Sequence, residues 1–221
     1  ICAHLQLKEN GQKNLRQNRK NKRFIYLISP NKIKNEKFYS NLNQVLSSKK
    51  VSFFQLRLKK ESFKKQIYIG KKIKKICKKH QVKLLINDNP IIAKKVNADG
   101  CHLGQKDMNI LNAKKILKNK IIGVTCHNSI NLAKKAILNK ASYLAFGAFY
   151  SSKTKKTKYK ASLKILNLVK KLTNTPVVAI GGIKDTNYKK LLLNKANFLA
   201  ISSYIWNNKK LNPIEAINKL V

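Results

Sequence analysis

LLINDNPIIAKKVNADGCHLGQKD, residues 84–107, decides how the chain is read. It opens on a short apolar run ending in Asn87-Asp88. A brief helical stretch follows Pro90, and a second run, ADGCHLG, spans 98–104. Runs that are continuously apolar, not alternating, read as strands buried on both faces. Strand, short helix and strand in so little chain make a βα repeat of a parallel sheet. The same stretch gathers acid. The chain has 8 Asp and Glu against 49 Lys and Arg, and Asp88, Asp99 and Asp107 all fall here. Carboxylates kept just past strand-like runs in so basic a chain suit a divalent cation.

Outward from this unit the rhythm repeats. FIYLIS (24–29), VSFFQLRL (51–58) and VKLLIND (82–88) lead up to ADGCHLG. KIIGVTC (120–126), ASYLAFGAF (141–149), TPVVAIGG (175–182) and ANFLAISS (196–203) come after it. Helical stretches lie between them: 35–48, 61–79, a short one after Pro90, one opening near Asp107, then 129–139, 160–172 and 185–193, with a last one ending in 212–221. This pattern predicts a (β/α)8 TIM barrel over residues 24–221 as one domain. An open doubly wound sheet is the alternative, but SPNK stands where its Gly-rich phosphate turn should follow the first strand. Residues 1–23 are polar and basic and read as a disordered tail, with an RNA- or membrane-surface arm as the other reading.

The formal net charge is +41. Alone it suggests a polyanionic partner such as nucleic acid. Only Arg16, Arg19, Arg23 and Arg57 are Arg, however, and the Lys residues are spread through every helical stretch. That distribution fits solvated helix faces better than phosphate or base readout. Cys2, Cys77, Cys101 and Cys126 show no CxxC spacing and are read as buried, reduced residues of a cytoplasmic protein. No run reaches the roughly 18 apolar residues of a membrane helix. The N-terminal segment lacks the apolar core of a signal peptide, and its start at Ile1 leaves a lost leader open.

In such a barrel, chemistry sits at the C-terminal strand ends. After the second run Gln55, Arg57 and Lys59 share one face and suit a multiply charged anion. After the third and fourth stand Asn87 and Asp88, then His102, Gly104, Gln105 and Asp107. Asp88 and Asp107 with amide and water oxygens make a hard site suited to Mg²⁺. Asp107 could equally cap the helix it precedes, and Asp99 reads as a turn residue. The Cys101-His102 and Cys126-His127 pairs do not make a zinc site, because adjacent strand residues point to opposite faces. His127 is open between proton transfer and a structural role. After the sixth run, Gly147 is followed by Ser151, Ser152, Thr154 and Lys155, groups that suit a pyrophosphate. Gly181-Gly182 after the seventh run and Ile201-Ser202-Ser203 after the eighth suit a phosphate held by backbone N–H groups. The layout is thus one phosphate site and one Mg²⁺-bridged anion site between Arg57, Asp88, Asp107 and Lys155.

QLRLKK, LLINDNPIIAKKVNADGCHLGQKD, IIGVTCHN, GAFYSSKTKK, PVVAIGGI and LAISS, in this order over about residues 24–205, resemble thiamine phosphate synthases. The resemblance implies a TIM barrel that joins hydroxymethylpyrimidine diphosphate to thiazole phosphate and releases pyrophosphate. It implies Mg²⁺ on Asp88 and Asp107. Arg57, Lys59, Asn87 and Lys155 would contact the diphosphate, with Thr125 nearby and Gln55 beside the pyrimidine. Ser152 and Thr154 would approach the thiazole substrate, whose phosphate Gly182, Ile201 and Ser202 would bind. Arg57, Lys59 and Lys155 would stabilise the leaving group. The chain departs from the family pattern in having Leu58 for Glu, Thr125 for Ser, Ala148 for Pro, and Ser151-Ser152 for Pro-Thr. A related branch of the same fold, the thiazole tautomerases, needs no diphosphate, and the Arg57/Asn87/Asp88/Asp107/Lys155 set favours the synthase.

Overall fold

The computed structural model describes residues 23–151 and 159–220. Eight parallel strands close into a barrel in sequence order, β1 hydrogen-bonding to both β2 and β8. They are β1 (Ile25–Ile28), β2 (Val51–Leu56), β3 (Lys83–Asn87), β4 (Gly100–Leu103), β5 (Ile121–His127), β6 (Tyr143–Gly147), β7 (Val177–Ile180) and β8 (Phe198–Ile201). The (β/α)8 expectation holds. Each of the eight apolar runs carries one of these strands.

Helices α1 (Lys37–Ser47), α2 (Phe63–Lys79), α3 (Pro90–Val96), α4 (Ile110–Leu117), α5 (Ile130–Leu138), α6 (Leu163–Leu172), α7 (Tyr188–Leu193), α8 (Ser203–Trp206) and α9 (Pro213–Asn218) wrap the outside. Their starts are written locally. Ser62, Asn89, Asn109, Ser129 and Asn212 each accept a hydrogen bond from a backbone N–H in the first turn of the helix they precede. Asn212 and Glu215 complete a capping box. Lysines fill the last turns: Lys78 and Lys79, Lys94 and Lys95, Lys114 and Lys115, Lys170 and Lys171. There they complement the negative end of the helix dipole. None of the described helices is long and apolar enough to cross a membrane.

Alternate strand residues divide between two cores. The larger lies between sheet and helices and takes in Leu27, Phe54, Leu84, Ile86, Cys101, Cys126 and Phe146. The smaller fills the barrel with Tyr26, Ile28, Leu85, Tyr143, Ala145, Val178 and Ala200, and Phe53, Ile121, Ile180 and Phe198 pack against it. This alternation puts Cys101 outside and His102 inside, as the zinc argument required. Cys77, Cys101 and Cys126 are free and buried, and burial pushes the Cys126 thiol up to about 12.

The tail expectation for residues 1–23 falls mostly outside the described residues. Arg23 itself is docked at the barrel base, its guanidinium donating to the His80 and Gln81 carbonyls at 3.2 and 3.1 Å.

Candidate active site

The β3 end shows how the chain aims its charges. Asn87 is the last strand residue, Asp88 turns into the left-handed region at φ 65°, and Asn89 caps α3. The Asp88 N–H donates to the His102 carbonyl at 2.7 Å, so the turn is tied to β4. Its carboxylate is left to face the barrel mouth. A non-glycine residue at positive φ is tolerated there because Asp is among the side chains best suited to it.

Asp107 meets Asp88 across the mouth. Its Oδ2 accepts from the Gly104 N–H at 2.7 Å, and a Cβ on Gly104 would come within 2.9 Å of that oxygen. Asp107 does not cap the following helix; Asn109 does, accepting from Asn112 N at 2.9 Å. That frees Asp107 for the site. Burial, and then hydrogen bonding to Asp88, raise the Asp107 carboxyl above the ordinary carboxylate range, opposed by the Gly104 N–H. Two carboxylates this close disfavour joint ionisation unless a cation lies between them. The Lys59 ammonium reaches Asp88 Oδ2 at 2.7 Å from the β2 side, with its side chain about half exposed at 53%.

Gln55 lies on β2 and Arg57 just past its end. Gln55, 2% exposed, donates from Nε2 to Asn87 Oδ1 at 2.8 Å. Arg57 donates to Asn31 Oδ1 at 2.9 Å, and its own N–H donates to Ser29 Oγ, also at 2.9 Å. The Ser202 hydroxyl donates to the Ser29 carbonyl at 3.2 Å, and Trp206 Nε1 to the Ile28 carbonyl at 2.7 Å, so the β1, β2 and β8 ends are stitched together.

On the opposite wall Gly181 and Gly182 sit at φ 109° and 60°. A Cβ on Gly182 would lie 2.3 Å from the Ser151 carbonyl oxygen, so both backbone shape and close packing demand glycine there. The Asn187 amide donates to the Gly182 carbonyl at 3.0 Å and holds this turn. Ile201 closes β8 as a buried residue, and Ser202-Ser203 open α8. Ser152, Thr154 and Lys155 lie outside the described residues. Ser151, just before them, is described.

Inside the barrel runs a feature that the residues alone did not signal. Tyr26 and Tyr143 hydroxyls lie 2.7 Å apart, Tyr143 OH lies 2.9 Å from His102 Nδ1, and His102 Nε2 lies 2.9 Å from Thr125 Oγ1. The Tyr143 ring occupies the space left by Gly123, where a Cβ would come within 1.8 Å of it. Burial pushes the His102 imidazole down to about 4, against weaker support of its charge by Asp88. It is therefore neutral near pH 7. Gln105 Nε2 donates to the Thr125 carbonyl and closes the wall. Both tyrosines hide in apolar runs, FIYLIS and ASYLAFGAF. The available signal was the hydroxyl on a residue facing into the barrel, which needs a partner when buried.

The His127 ring stacks on Tyr159, centroids 4.0 Å apart. Asp99 lies at the other end of the barrel, before β4, and takes no part in the mouth.

Among the described residues no group of three or more His, Cys, Asp or Glu could hold a metal. The mouth offers two carboxylates. That set fits a Mg²⁺ ion, which commonly uses one or two carboxylates and completes its octahedron with water and substrate phosphates.

Comparison with known proteins identifies the family of the chain. The family model described as thiamine monophosphate synthase matches residues 25–205. The chain is 71% identical over 206 residues to the thiamine-phosphate synthase of Pelagibacter ubique (strain HTCC1062), covering 93% of this chain and 100% of that one. It is 38% identical over 157 residues to the thiamine-phosphate synthase of Nitrosomonas eutropha (strain DSM 101675 / C91 / Nm57), covering 71% and 74%. Among solved structures, thiamine phosphate pyrophosphorylase from Pyrococcus furiosus superposes with a TM-score of 0.79 at 27% identity, covering 91% of this chain and 95% of that one. The chain belongs to the thiamine monophosphate synthase family.

Proposed function

We propose that the protein is a thiamine phosphate synthase. It transfers the hydroxymethylpyrimidine group from its diphosphate to the nitrogen of thiazole phosphate, giving thiamine phosphate and pyrophosphate. The observation that carries this reading is the mouth itself. The paired carboxylates Asp88 and Asp107 stand beside the cationic side chains Arg57 and Lys59 at adjoining strand ends.

Asp88 and Asp107 would hold Mg²⁺. When bound, it neutralises charge that builds on the diphosphate oxygens as the CH₂–O bond breaks. Arg57 is steadied by Asn31 and offers its remaining guanidinium N–H groups to the same oxygens. Lys59 has a half-exposed side chain, so its ion pair with Asp88 is partly screened and can be exchanged for a phosphate partner. Gln55 holds the Asn87 amide oxygen, which leaves the Asn87 NH₂ to donate into the mouth. Lys155 would add a further cation from the loop after β6.

The aminopyrimidine ring delocalises positive charge at the departing carbon, and the thiazole nitrogen lone pair then forms the new C–N bond. No protein nucleophile is required, so positioning and charge stabilisation supply the rate. The turn at Gly181-Gly182 and the Ile201-Ser202 strand end would bind the thiazole phosphate through backbone N–H groups. Ser152 and Thr154 would approach that substrate from the same side.

The test is release of pyrophosphate from the two substrates together, with and without Mg²⁺. Release that needs both substrates and stops with EDTA supports the proposal. Binding of thiazole phosphate with no pyrophosphate formed in the presence of Mg²⁺ overturns it.

A further inference from the structure

The chain of hydrogen bonds inside the barrel has a direction, and the count of its hydrogens sets it. Tyr26 is 1% exposed and Tyr143 3%, and the only hydrogen-bond partners of their hydroxyls among the described residues are each other and His102. Each hydroxyl has one hydrogen to place, and the neutral imidazole has one.

Suppose His102 carries its hydrogen on Nδ1. That nitrogen must donate to Tyr143 Oη. The Tyr143 hydrogen can then go only to Tyr26, and the Tyr26 hydrogen has no acceptor. If Tyr26 donates to Tyr143 instead, the Tyr143 hydrogen is stranded. The imidazolium form fails in the same way, since it too carries a hydrogen on Nδ1. Only the Nε2–H form places every buried hydrogen: Tyr26 to Tyr143, Tyr143 to Nδ1, and Nε2–H to Thr125 Oγ1. A stranded buried donor disfavours the other forms by about tenfold or more.

In this arrangement Thr125 Oγ1 is an acceptor towards His102, so its own hydrogen is not used within the chain. Thr125 lies on β5 beside His102 on β4, near the mouth end of both strands. We propose that Tyr143, backed by Tyr26, is a positioning residue that fixes His102 as the Nε2–H imidazole and thereby keeps the Thr125 hydroxyl hydrogen free for an anionic oxygen of the bound substrate. The kinetic consequence rests on the synthase reading, while the tautomer does not.

Two measurements test the inference. The first is ¹⁵N NMR of the substrate-free protein with ring-labelled histidine at neutral pH, the His102 signals being those lost in His102→Gln. An unprotonated Nδ1 and a protonated Nε2 are expected. A protonated Nδ1 overturns the assignment, whether or not the protein turns out to be a synthase. The second is a double-mutant cycle on kcat/KM for the pyrimidine diphosphate. Tyr143→Phe should lower it by about tenfold in the native background and by less than about twofold when Thr125→Val is already present. Thr125→Ser, which retains the hydroxyl, should keep the large Tyr143→Phe effect. Equal losses from Tyr143→Phe in the native and Thr125→Val backgrounds would mean a merely structural tyrosine and would overturn the proposal. If neither background forms pyrophosphate, the synthase reading is what has failed, and the NMR result still decides the tautomer.

Discussion

Asp99 and the pair Asp88 and Asp107 come from one short stretch, yet they sit at opposite ends of the barrel and are treated in opposite ways. At the base, the Asp99 carboxylate is satisfied by the chain. Oδ2 accepts from the Leu84 N–H at 2.8 Å and from Lys74 at 2.6 Å, and Lys83 lies 3.9 Å from Oδ1. It ties the starts of β3 and β4 to α2. At the mouth, two carboxylates crowd each other, and burial, then the Asp88 neighbour, hold Asp107 above its ordinary ionisation range. The first arrangement spends its charge on the fold. The second leaves its charge facing the mouth, and the folded chain bears the repulsion.

The largest effect should come from the mouth. Asp88→Ala should lower kcat/KM for pyrophosphate release by about 10²–10³-fold while far-UV circular dichroism and the thermal midpoint stay close to native. A variant with unchanged kinetics would erase the distinction between the two ends.

The next effect lies between them, at His102, and appears as pH dependence. Its folded value is depressed to about 4 from an ordinary 6.5. The unfolded chain therefore takes up a proton on this residue before the folded one does. Its contribution to stability is fully present above pH 6.5 and is lost as pH falls through that window towards 4, by roughly 3 kcal/mol at most. Urea unfolding of the native protein and of His102→Gln across pH 4–7 should show a steeper acid loss in the native protein. Parallel curves would mean that the imidazole is solvated.

At the base, Asp99→Ala should cost about 2 kcal/mol in urea unfolding, since it strips an acceptor from the Leu84 N–H and from Lys74, and activity at 25 °C should be retained. A folded Asp99→Ala with activity as low as that of Asp88→Ala would show that the base is not merely structural. The smallest change is expected for Lys59→Ala. Its exposed pair should be worth under about 1 kcal/mol of stability, while KM for the diphosphate should rise several-fold.

The barrel was legible because continuous apolar runs have one interpretation when helices separate them. The placement of Gln55, Arg57, Asn87 and Asp88 at the barrel mouth was legible because the βα rhythm fixes where β2 and β3 stop. Asp107 was ambiguous until the structure gave the cap to Asn109. That choice depends on where the turn tightens, and residue types alone do not settle it. Tyr26, Tyr143 and Asn31 were not legible. In the two tyrosines an aromatic body dominates the pattern and conceals the hydroxyl, so the interior relay emerges only when four strands meet. Asn31 belongs to a loop whose path follows from the closed barrel.

The lysines in the last turns of the helices have a consequence for encounter with substrate. The helices run antiparallel to the strands, so these residues ring the base, at the far end from the mouth. They cannot touch a substrate in the site, but their field reaches beyond the surface at low ionic strength. Any anionic ligand is drawn towards a body of formal charge +41, and the few carboxylates at the mouth leave that attraction almost whole. Added salt is therefore expected to slow capture of an anionic ligand more than turnover. The ion atmosphere of the surrounding medium becomes a working part of the enzyme.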